Sequence, residues 1–146
     1  MPRIERSATV VWDGNVARGS GHITGETGAF SELPYTLASR IGNPEGKTSP
    51  EELLAAAHAG CFTTSLGSEL ARDNTPAGHL EVHCTIVMDE VPREGHQIVG
   101  ADVTVLVEVE GASDEALADA VRRADEGCPF SSLLKKAGVE VRVSRA

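Results

Sequence analysis

Hydrophobic and polar residues alternate most regularly in the second half of the chain, where they predict paired strands. Apolar residues occupy every second position from Leu80 to Met88, so one face of that strand is expected to be buried. A turn over 92–96 separates it from a second run, 98–109, in which valines recur at alternate positions. The pattern predicts a long hairpin, and a further strand is predicted over 139–143.

The first forty residues also favour strands, which are shorter and joined by glycine turns. A strand over 9–12 is followed by Asp-Gly, a strong turn signal, and the glycine-spaced run 19–28 indicates a hairpin with permissive backbone. That run lacks the flanking strand and helix of a dinucleotide-binding loop, which argues against a phosphate site. A third strand is predicted over 33–37, at a sheet edge because Pro34 cannot donate to a ladder.

The strongest local signal is the start of a helix at residue 50. Ser49 suits the N-cap, Pro50 the first helical position, and Glu52 the third position, where it completes a capping box. We predict a helix from there to about Arg72. Between residues 53 and 62 it is apolar on nearly every side, so we expect it to be buried all round.

Two further helices are predicted before the last strand. Ser113 caps one that is stopped by Gly127, and a short one over 130–137 follows. The resulting order of β-rich segment, helix, hairpin, helix and strand indicates an α+β fold. With 146 residues, no internal repeat and no low-complexity linker, the chain is expected to form a single domain over 1–146.

Composition and charge exclude several classes of partner. Thirteen basic against 22 acidic residues give a net charge of −9, which argues against binding to nucleic acid or to anionic membranes. The first residues lack the apolar core of a signal peptide, and the longest uncharged stretch, 53–68, is too short for a spanning helix. We therefore expect a cytoplasmic protein whose cysteines form no permanent disulfide framework.

The three cysteines differ in their sequence context. Cys61 lies within the apolar central helix, where a cysteine is more often a small core residue than a nucleophile. Cys84 lies on the apolar face of a predicted strand, which favours the same structural role more strongly. Cys128 stands between Gly127 and Pro129, near the N-cap of the last helix, where free N–H groups and the helix dipole favour a thiolate. Transient redox chemistry and metal binding are the functional alternatives.

Zinc binding is only weakly indicated. His58 and Cys61 are three residues apart on one helix and could share a metal, but no second close pair of ligands accompanies them. The sequence contains no Cys-x-x-Cys or His-Glu-x-x-His motif, and no Gly-x-Ser-x-Gly elbow of a serine hydrolase. We therefore predict no bound metal and no bound cofactor.

Several segments together resemble consecutive motifs of the OsmC/Ohr family of thiol-dependent peroxidases, and of its OsmC branch in particular. They span essentially the whole chain and comprise Val11-Trp12-Asp13-Gly14, Gly25-Glu26-Thr27-Gly28, Leu33-Pro34-Tyr35, residues 48–53, 56–62 and 127–131. Two departures are Gly60, where the family usually has alanine, and the loop 40–46. The resemblance implies antiparallel sheets packed around a long buried central helix that carries Cys61, in an intertwined homodimer with sites at the interface.

The resemblance also implies roles for individual residues. Cys61 matches the peroxidatic cysteine and Cys128 the resolving one, while Arg40 and Glu51 match the family's polar pair near the reactive thiol. Such a pair has a physical purpose, because burial hinders ionisation of a thiol and only the thiolate attacks an O–O bond. Arg40 would offset the desolvation and polarise the peroxide, and Glu51 would hold the guanidinium. Arg18 is the reserve candidate for the cation.

The implied reaction is the reduction of an organic hydroperoxide to an alcohol. Cys61 forms a sulfenic acid, Cys128 condenses with it to an intramolecular disulfide, and an external dithiol, for example of the lipoyl type, restores both thiols. Apolar residues such as Leu54, Phe62 and Phe130 would favour alkyl hydroperoxides over hydrogen peroxide. The alternative is a redox-sensing or ligand-binding protein of the same fold, whose cysteines signal or merely pack.

Helix geometry adds one constraint on the dimer. If residues 50–72 form one straight helix, Glu51 and Cys61 are separated by about 15 Å along the axis and roughly 80° around it. The two side chains of one chain then cannot meet at one site. We predict that the Arg40/Glu51 pair closest to a given Cys61 belongs to the other subunit.

Overall fold

The computed structural model describes residues 2–146, and the chain divides into two compact units, Met1–Pro50 and Glu51–Ala146. In chain order its elements are β1 (Ala8–Asp13), β2 (Ser20–Gly25), β3 (Leu33–Tyr35), α1 (Leu37–Ile41), α2 (Pro50–Arg72), β4 (His79–Val91), β5 (Gly95–Glu108), α3 (Asp114–Gly127), α4 (Pro129–Lys136) and β6 (Glu140–Arg145). The predicted α+β class is confirmed. The single domain over 1–146 stays a prediction.

In the N-terminal unit, β1, β2 and β3 form an antiparallel sheet in that order. Trp12 on β1 and Tyr35 on β3 are both paired with Gly21 on β2, and their rings meet edge to face with centroids 5.4 Å apart. A Cβ atom on Gly21 would lie 2.6 Å from each of the two rings. Glycine is therefore required where the two aromatic side chains cross the strand.

The strand predicted over 33–37 ends early, because its last residues begin a helix. The Thr36 hydroxyl accepts a hydrogen bond from the backbone N–H of Ser39, and the Ser39 hydroxyl accepts one from the N–H of Thr36, each at 3.0 Å. This reciprocal capping box starts α1, a helix that the sequence analysis did not predict. Arg40 lies in the last turn of α1.

Helix α2 has the bounds predicted from its punctuation. It begins at Pro50 and ends at Arg72, beyond which Asn74 adopts the left-handed conformation with a φ of 58°. The backbone N–H of Thr75 donates to the carbonyl of Leu70 at 2.9 Å, as in a Schellman motif. Within residues 2–146, no helix is both long enough and apolar enough to cross a membrane.

The expected burial of α2 on every side is not found in the single chain. Its buried residues follow one face and are His58, Phe62, Leu66, Glu69 and Leu70. Gly60, Thr64 and Ser68 are exposed on the opposite face, because the neighbouring sheet and helices cover only one side of α2.

The second unit contains a mixed sheet with β5 at its centre. β4 pairs antiparallel to β5, as the predicted hairpin requires, with a register irregularity between Val87 and Met88. β6 pairs parallel to β5, so the expectation of purely antiparallel sheets is wrong here. The reason is the connection: α3 and α4 cross from the end of β5 back to its start, and such a crossover delivers a parallel strand.

The core of this unit lies between the sheet and two helices. Phe62, Leu66 and Leu70 of α2 pack with Val103 and Val105 of β5, and α3 adds Leu117, Ala120, Val121 and Ala124 to the same cluster. At the C-terminal end of α2, Arg123 of α3 pairs with Glu69 at 2.9 Å and with Asp73 at 2.6 Å. The buried carboxylate of Glu69 thus has a partner, and α2 and α3 are held in register.

Replacing Leu66 with alanine should destabilise the protein by about 2–5 kcal/mol, because the side chain is 0% exposed and its loss leaves a cavity. Leu133→Ala is the matched control: that side chain is 60% exposed, and its loss should change the stability by less than about 0.5 kcal/mol. Urea unfolding of both variants measures the difference. Equal losses would contradict the assignment of the core.

Candidate active site

Two of the predicted site residues, Cys61 and Cys128, meet in the second unit. The two thiols lie within hydrogen-bonding contact, and Cys61 packs against the core cluster that contains Cys128. Cys61 is half-buried, whereas Cys128 is 0% exposed. All three cysteines of the chain are free thiols. A reagent that approaches from solvent therefore meets Cys61 first, with Cys128 behind it.

Cys128 occupies the helix start that its sequence context predicted. It is the N-cap of α4, between the end of α3 and Pro129 at the first helical position. The backbone N–H groups of the first turn have no intrahelical partners, and that of Phe130 hydrogen-bonds to the Cys61 sulfur. The predicted free N–H groups thus act on Cys61 rather than on Cys128 itself.

Opposing effects set the ionisation of Cys61. Burial raises its pKa most, and the neighbouring thiol of Cys128 raises it further. The hydrogen bond from Phe130 lowers the pKa, but the net direction is upward. Within one chain, therefore, Cys61 is poorly ionised at neutral pH, and a reactive thiolate requires a further positive charge.

A buried polar chain runs beside the two cysteines. His58, one turn before Cys61 on α2, lies with Nε2 2.8 Å from the Ser131 hydroxyl and Nδ1 3.6 Å from the Cys84 sulfur. His58 and Ser131 are both 0% exposed. The earlier zinc hypothesis joined His58 to Cys61, but both ring nitrogens of His58 face other partners.

Electrostatics keep this chain neutral. Burial lowers the pKa of His58, against the opposing effect of the Asp125 carboxylate. Burial and nearby Asp102 raise the pKa of Cys84 to about 11. At neutral pH, His58 is therefore an uncharged imidazole and Cys84 a thiol, in agreement with the structural role predicted for Cys84.

The other predicted site residues are Glu51, Arg40 and Arg18. Helix α2 does not bring Glu51 beside Cys61, and the two arginines lie on other elements. Glu51 is half-buried in the first turn of α2, and since α2 is one helix, it is about 15 Å from Cys61 along the axis. Arg40 and Arg18 belong to the N-terminal unit, where both residues are exposed.

Arg40 borders an apolar cavity within the N-terminal unit. The cavity has a volume of about 230 Å³ and is lined by Trp12, Val16, Tyr35, Leu37 and Arg40. Its walls are thus mainly aromatic and aliphatic, with one guanidinium among them. The sequence-predicted apolar lining differs: Leu54 and Phe62 pack into core clusters, and Phe130 lies half-buried against the core.

The sequence analysis missed the link between His58 and Ser131. The two residues are 73 positions apart, so no local pattern connects them. A signal was present in the position of His58, a lone polar residue in an otherwise apolar stretch of α2. Such a residue must find a buried partner, but the sequence alone does not identify it.

At pH 8 we expect iodoacetamide to label Cys61 in the native protein well before Cys84. With a pKa of about 11, only about one Cys84 thiol in a thousand is ionised at that pH. Peptide mass spectrometry measures the labelling, and the urea-unfolded chain, in which all three cysteines should react, is the control. Faster labelling of Cys84 than of Cys61 would contradict the described burial.

Comparison with known families gives one match that covers most of the chain. The family model described as "OsmC-like protein" matches residues 42–144. Among curated proteins, "Peroxiredoxin OsmC" of Escherichia coli (strain K12) is 30% identical over 132 residues, which is 90% of this chain and 91% of the relative.

Solved structures share the fold. An organic hydroperoxide resistance protein OsmC from Legionella pneumophila superposes with a TM-score of 0.77 at 20% identity, covering 99% of both chains. The organic hydroperoxide resistance protein OhrB of Bacillus subtilis gives a TM-score of 0.72 at 24% identity, covering 96% of this chain and 98% of that one. At these identities the structures support the same chain topology.

Proposed function

Because the chain belongs to the OsmC-like protein family, we propose that it reduces organic hydroperoxides to alcohols, with Cys61 as the attacking thiol. Membership makes it a cysteine-based oxidoreductase of the peroxidase type. The observation that carries the assignment of Cys61 is the pairing of a half-buried Cys61 with a buried Cys128. The attacking thiol must reach the peroxide, whereas the resolving thiol must reach only its partner.

The reaction proceeds in two steps at this pair. The Cys61 thiolate attacks the terminal oxygen of the hydroperoxide, the O–O bond breaks, and the leaving alkoxide takes up a proton to become the alcohol. The Cys128 thiol then attacks the sulfur of the sulfenic acid, forming the disulfide and releasing water. An external dithiol, for which a lipoyl-type compound is a candidate, returns both cysteines to thiols by disulfide exchange.

The Phe130 backbone N–H supports the first step. Its hydrogen bond to the Cys61 sulfur strengthens when that sulfur carries a negative charge. Burial nevertheless keeps the pKa of Cys61 raised, and none of the contacts described in the second unit brings a positive charge to its sulfur. The site therefore needs a cation from elsewhere. Arg40 of a second copy, held by Glu51, supplies it in our proposal, and the active unit is a homodimer.

Two features support this arrangement. The single chain leaves Gly60, Thr64 and Ser68 of α2 exposed, so a second copy has room to approach the helix that carries Cys61. Arg40 also borders the cavity lined by Trp12 and Tyr35. That cavity suits the organic group of a hydroperoxide, whose peroxide oxygens would then lie near the guanidinium. An alkyl or aryl hydroperoxide is therefore favoured over hydrogen peroxide.

Cys61→Ser should abolish the consumption of cumene or tert-butyl hydroperoxide in the presence of a dithiol, because serine cannot form the sulfenic acid. Leu133→Ala is the control, since that side chain is 60% exposed on α4, and it should leave turnover within about twofold. Spectrophotometric peroxide assays measure both. Full activity of Cys61→Ser would support the alternative of a redox-sensing or ligand-binding protein.

Mixing two inactive variants tests the shared site. Cys61→Ser and Arg40→Met homodimers should each be nearly inactive, yet an unfolded and refolded equal mixture should recover about a quarter of wild-type activity. The mixed dimer retains one site that combines an intact Cys61 with an intact Arg40 from the other chain.

Arg18→Met provides the control for the identity of the cation. If Arg40 is the activating residue, Arg18→Met alone remains active, and its mixture with Cys61→Ser shows no gain beyond dilution. The opposite pattern would assign the role to Arg18. An absence of recovery with Arg40→Met would place Cys61 and Arg40 of one chain at the same site and contradict the proposal.

A further inference from the structure

The buried hydrogen bond between His58 and Ser131 joins two helices at one particular place. The His58 imidazole and the Ser131 hydroxyl are 2.8 Å apart and both residues are 0% exposed. A pair of apolar side chains would fill the same space without desolvating polar groups. The polar pair differs from an apolar one in being directional, so it fixes how the two helices meet.

That place is next to the reactive thiols. On α2, His58 stands one turn before Cys61. On α4, Ser131 directly follows Phe130, whose N–H bonds to the Cys61 sulfur, and lies in the same first turn that Cys128 caps. The bond therefore connects the turn that carries the attacking thiol to the turn that carries its hydrogen-bond donor and its resolving thiol.

Cys84 completes the chain by setting the imidazole tautomer. The Cys84 thiol can donate its S–H to Nδ1 of His58, at 3.6 Å. We assign the ring proton to Nε2, which then donates to the Ser131 oxygen. The two hydrogen bonds thus donate in the same direction, from Cys84 on the sheet to His58 on α2 and from His58 to Ser131 on α4.

We propose that His58 and Ser131 are positioning residues for Cys61: their hydrogen bond holds the first turn of α4 so that the Phe130 N–H and the Cys128 thiol stay in contact with the Cys61 sulfur. The inference rests on the proposed function, since it gives this contact its purpose. Neither residue touches the reacting atoms. Loss of the bond frees the first turn of α4 while Leu134 still anchors the helix in its own core cluster.

Ser131→Ala is the most conservative test, because it removes a single hydroxyl. We expect the pH midpoint of Cys61 alkylation to fall, since the freed turn withdraws the Cys128 thiol, which raises the pKa of Cys61 more than the Phe130 N–H lowers it. We also expect disulfide formation with Cys128, after one equivalent of cumene hydroperoxide, to slow about tenfold. Peptide mass spectrometry of quenched samples measures both quantities.

Ser65→Ala is the matched control. The Ser65 hydroxyl on the same helix donates to the carbonyl of Ala124 at 2.9 Å, so this variant also removes one hydrogen bond from α2 to another helix. It should lower the stability similarly and leave the alkylation midpoint and the rate of disulfide formation unchanged. An equal change in both variants would mean general loosening and would overturn the proposal.

Substitutions of His58 provide a second test. His58→Gln keeps an N–H donor for Ser131 and should remain close to the wild type, whereas His58→Leu should resemble Ser131→Ala. If His58→Leu fails to fold, the comparison of Ser131→Ala with Ser65→Ala still decides. An unchanged midpoint and an unchanged disulfide rate in folded Ser131→Ala would refute the positioning role.

Failure of the proposed function would look different. In that case wild-type protein forms no Cys61–Cys128 disulfide with peroxide, and Cys61→Ser keeps full activity. The alkylation midpoint requires no peroxide at all, so the positioning effect of Ser131 on the Cys61 thiolate is measured independently of turnover.

Discussion

Shielding a thiol from water and ionising it are opposing demands, and the arrangement around Cys61 follows from that opposition. Burial and the Cys128 thiol both raise the pKa of Cys61, and the Phe130 N–H offsets part of the effect. A dry environment is useful to a thiolate that must react with an apolar peroxide, but it has to be combined with compensating dipoles and charges. The helix α4 supplies the dipole, and a second subunit supplies the charge in our proposal.

The polar residues near this site have different functions. The ion pairs of Arg123 with Glu69 and Asp73 lie at the far end of α2 and hold α2 against α3. The neutral chain of Cys84, His58 and Ser131 lies close to Cys61 and involves no formal charge. A neutral chain is appropriate there, because a buried anion so near the sulfur would raise the pKa of Cys61 further.

The sequence was most informative where local chemistry determines structure. Ser49, Pro50 and Glu52 predicted the start of α2, and Gly127 with Pro129 predicted the helix start that places Cys128 at an N-cap. Local patterns failed where distant segments decide. The parallel pairing of β6 depends on how α3 and α4 return the chain. α1 was missed for a different and local reason, because its capping box lies within a segment of strand-like composition.

The site itself shows the same division. The motifs around Cys61 and Cys128 predicted both thiols as site residues by family resemblance, and the structure brings the two side chains into contact. Their catalytic roles stay predictions. The bond from His58 to Ser131 could not be predicted, because it joins residues on two helices far apart in the sequence. The burial of α2 was overestimated, since apolar composition reports what a helix can bury and not how many neighbours one chain provides.

The placement of Cys128 on the crossover between β5 and β6 has a consequence for biosynthesis. After the ribosome has incorporated Cys61, it must add 67 more residues before Cys128 is present, which takes roughly 3–13 s at ordinary elongation rates. During that interval Cys61 lacks the thiol that it contacts in the folded chain, and Cys84 is the other thiol that has been added. The nascent chain is protected meanwhile because a thiol with its ordinary pKa is mostly protonated at neutral pH and reacts slowly with oxidants.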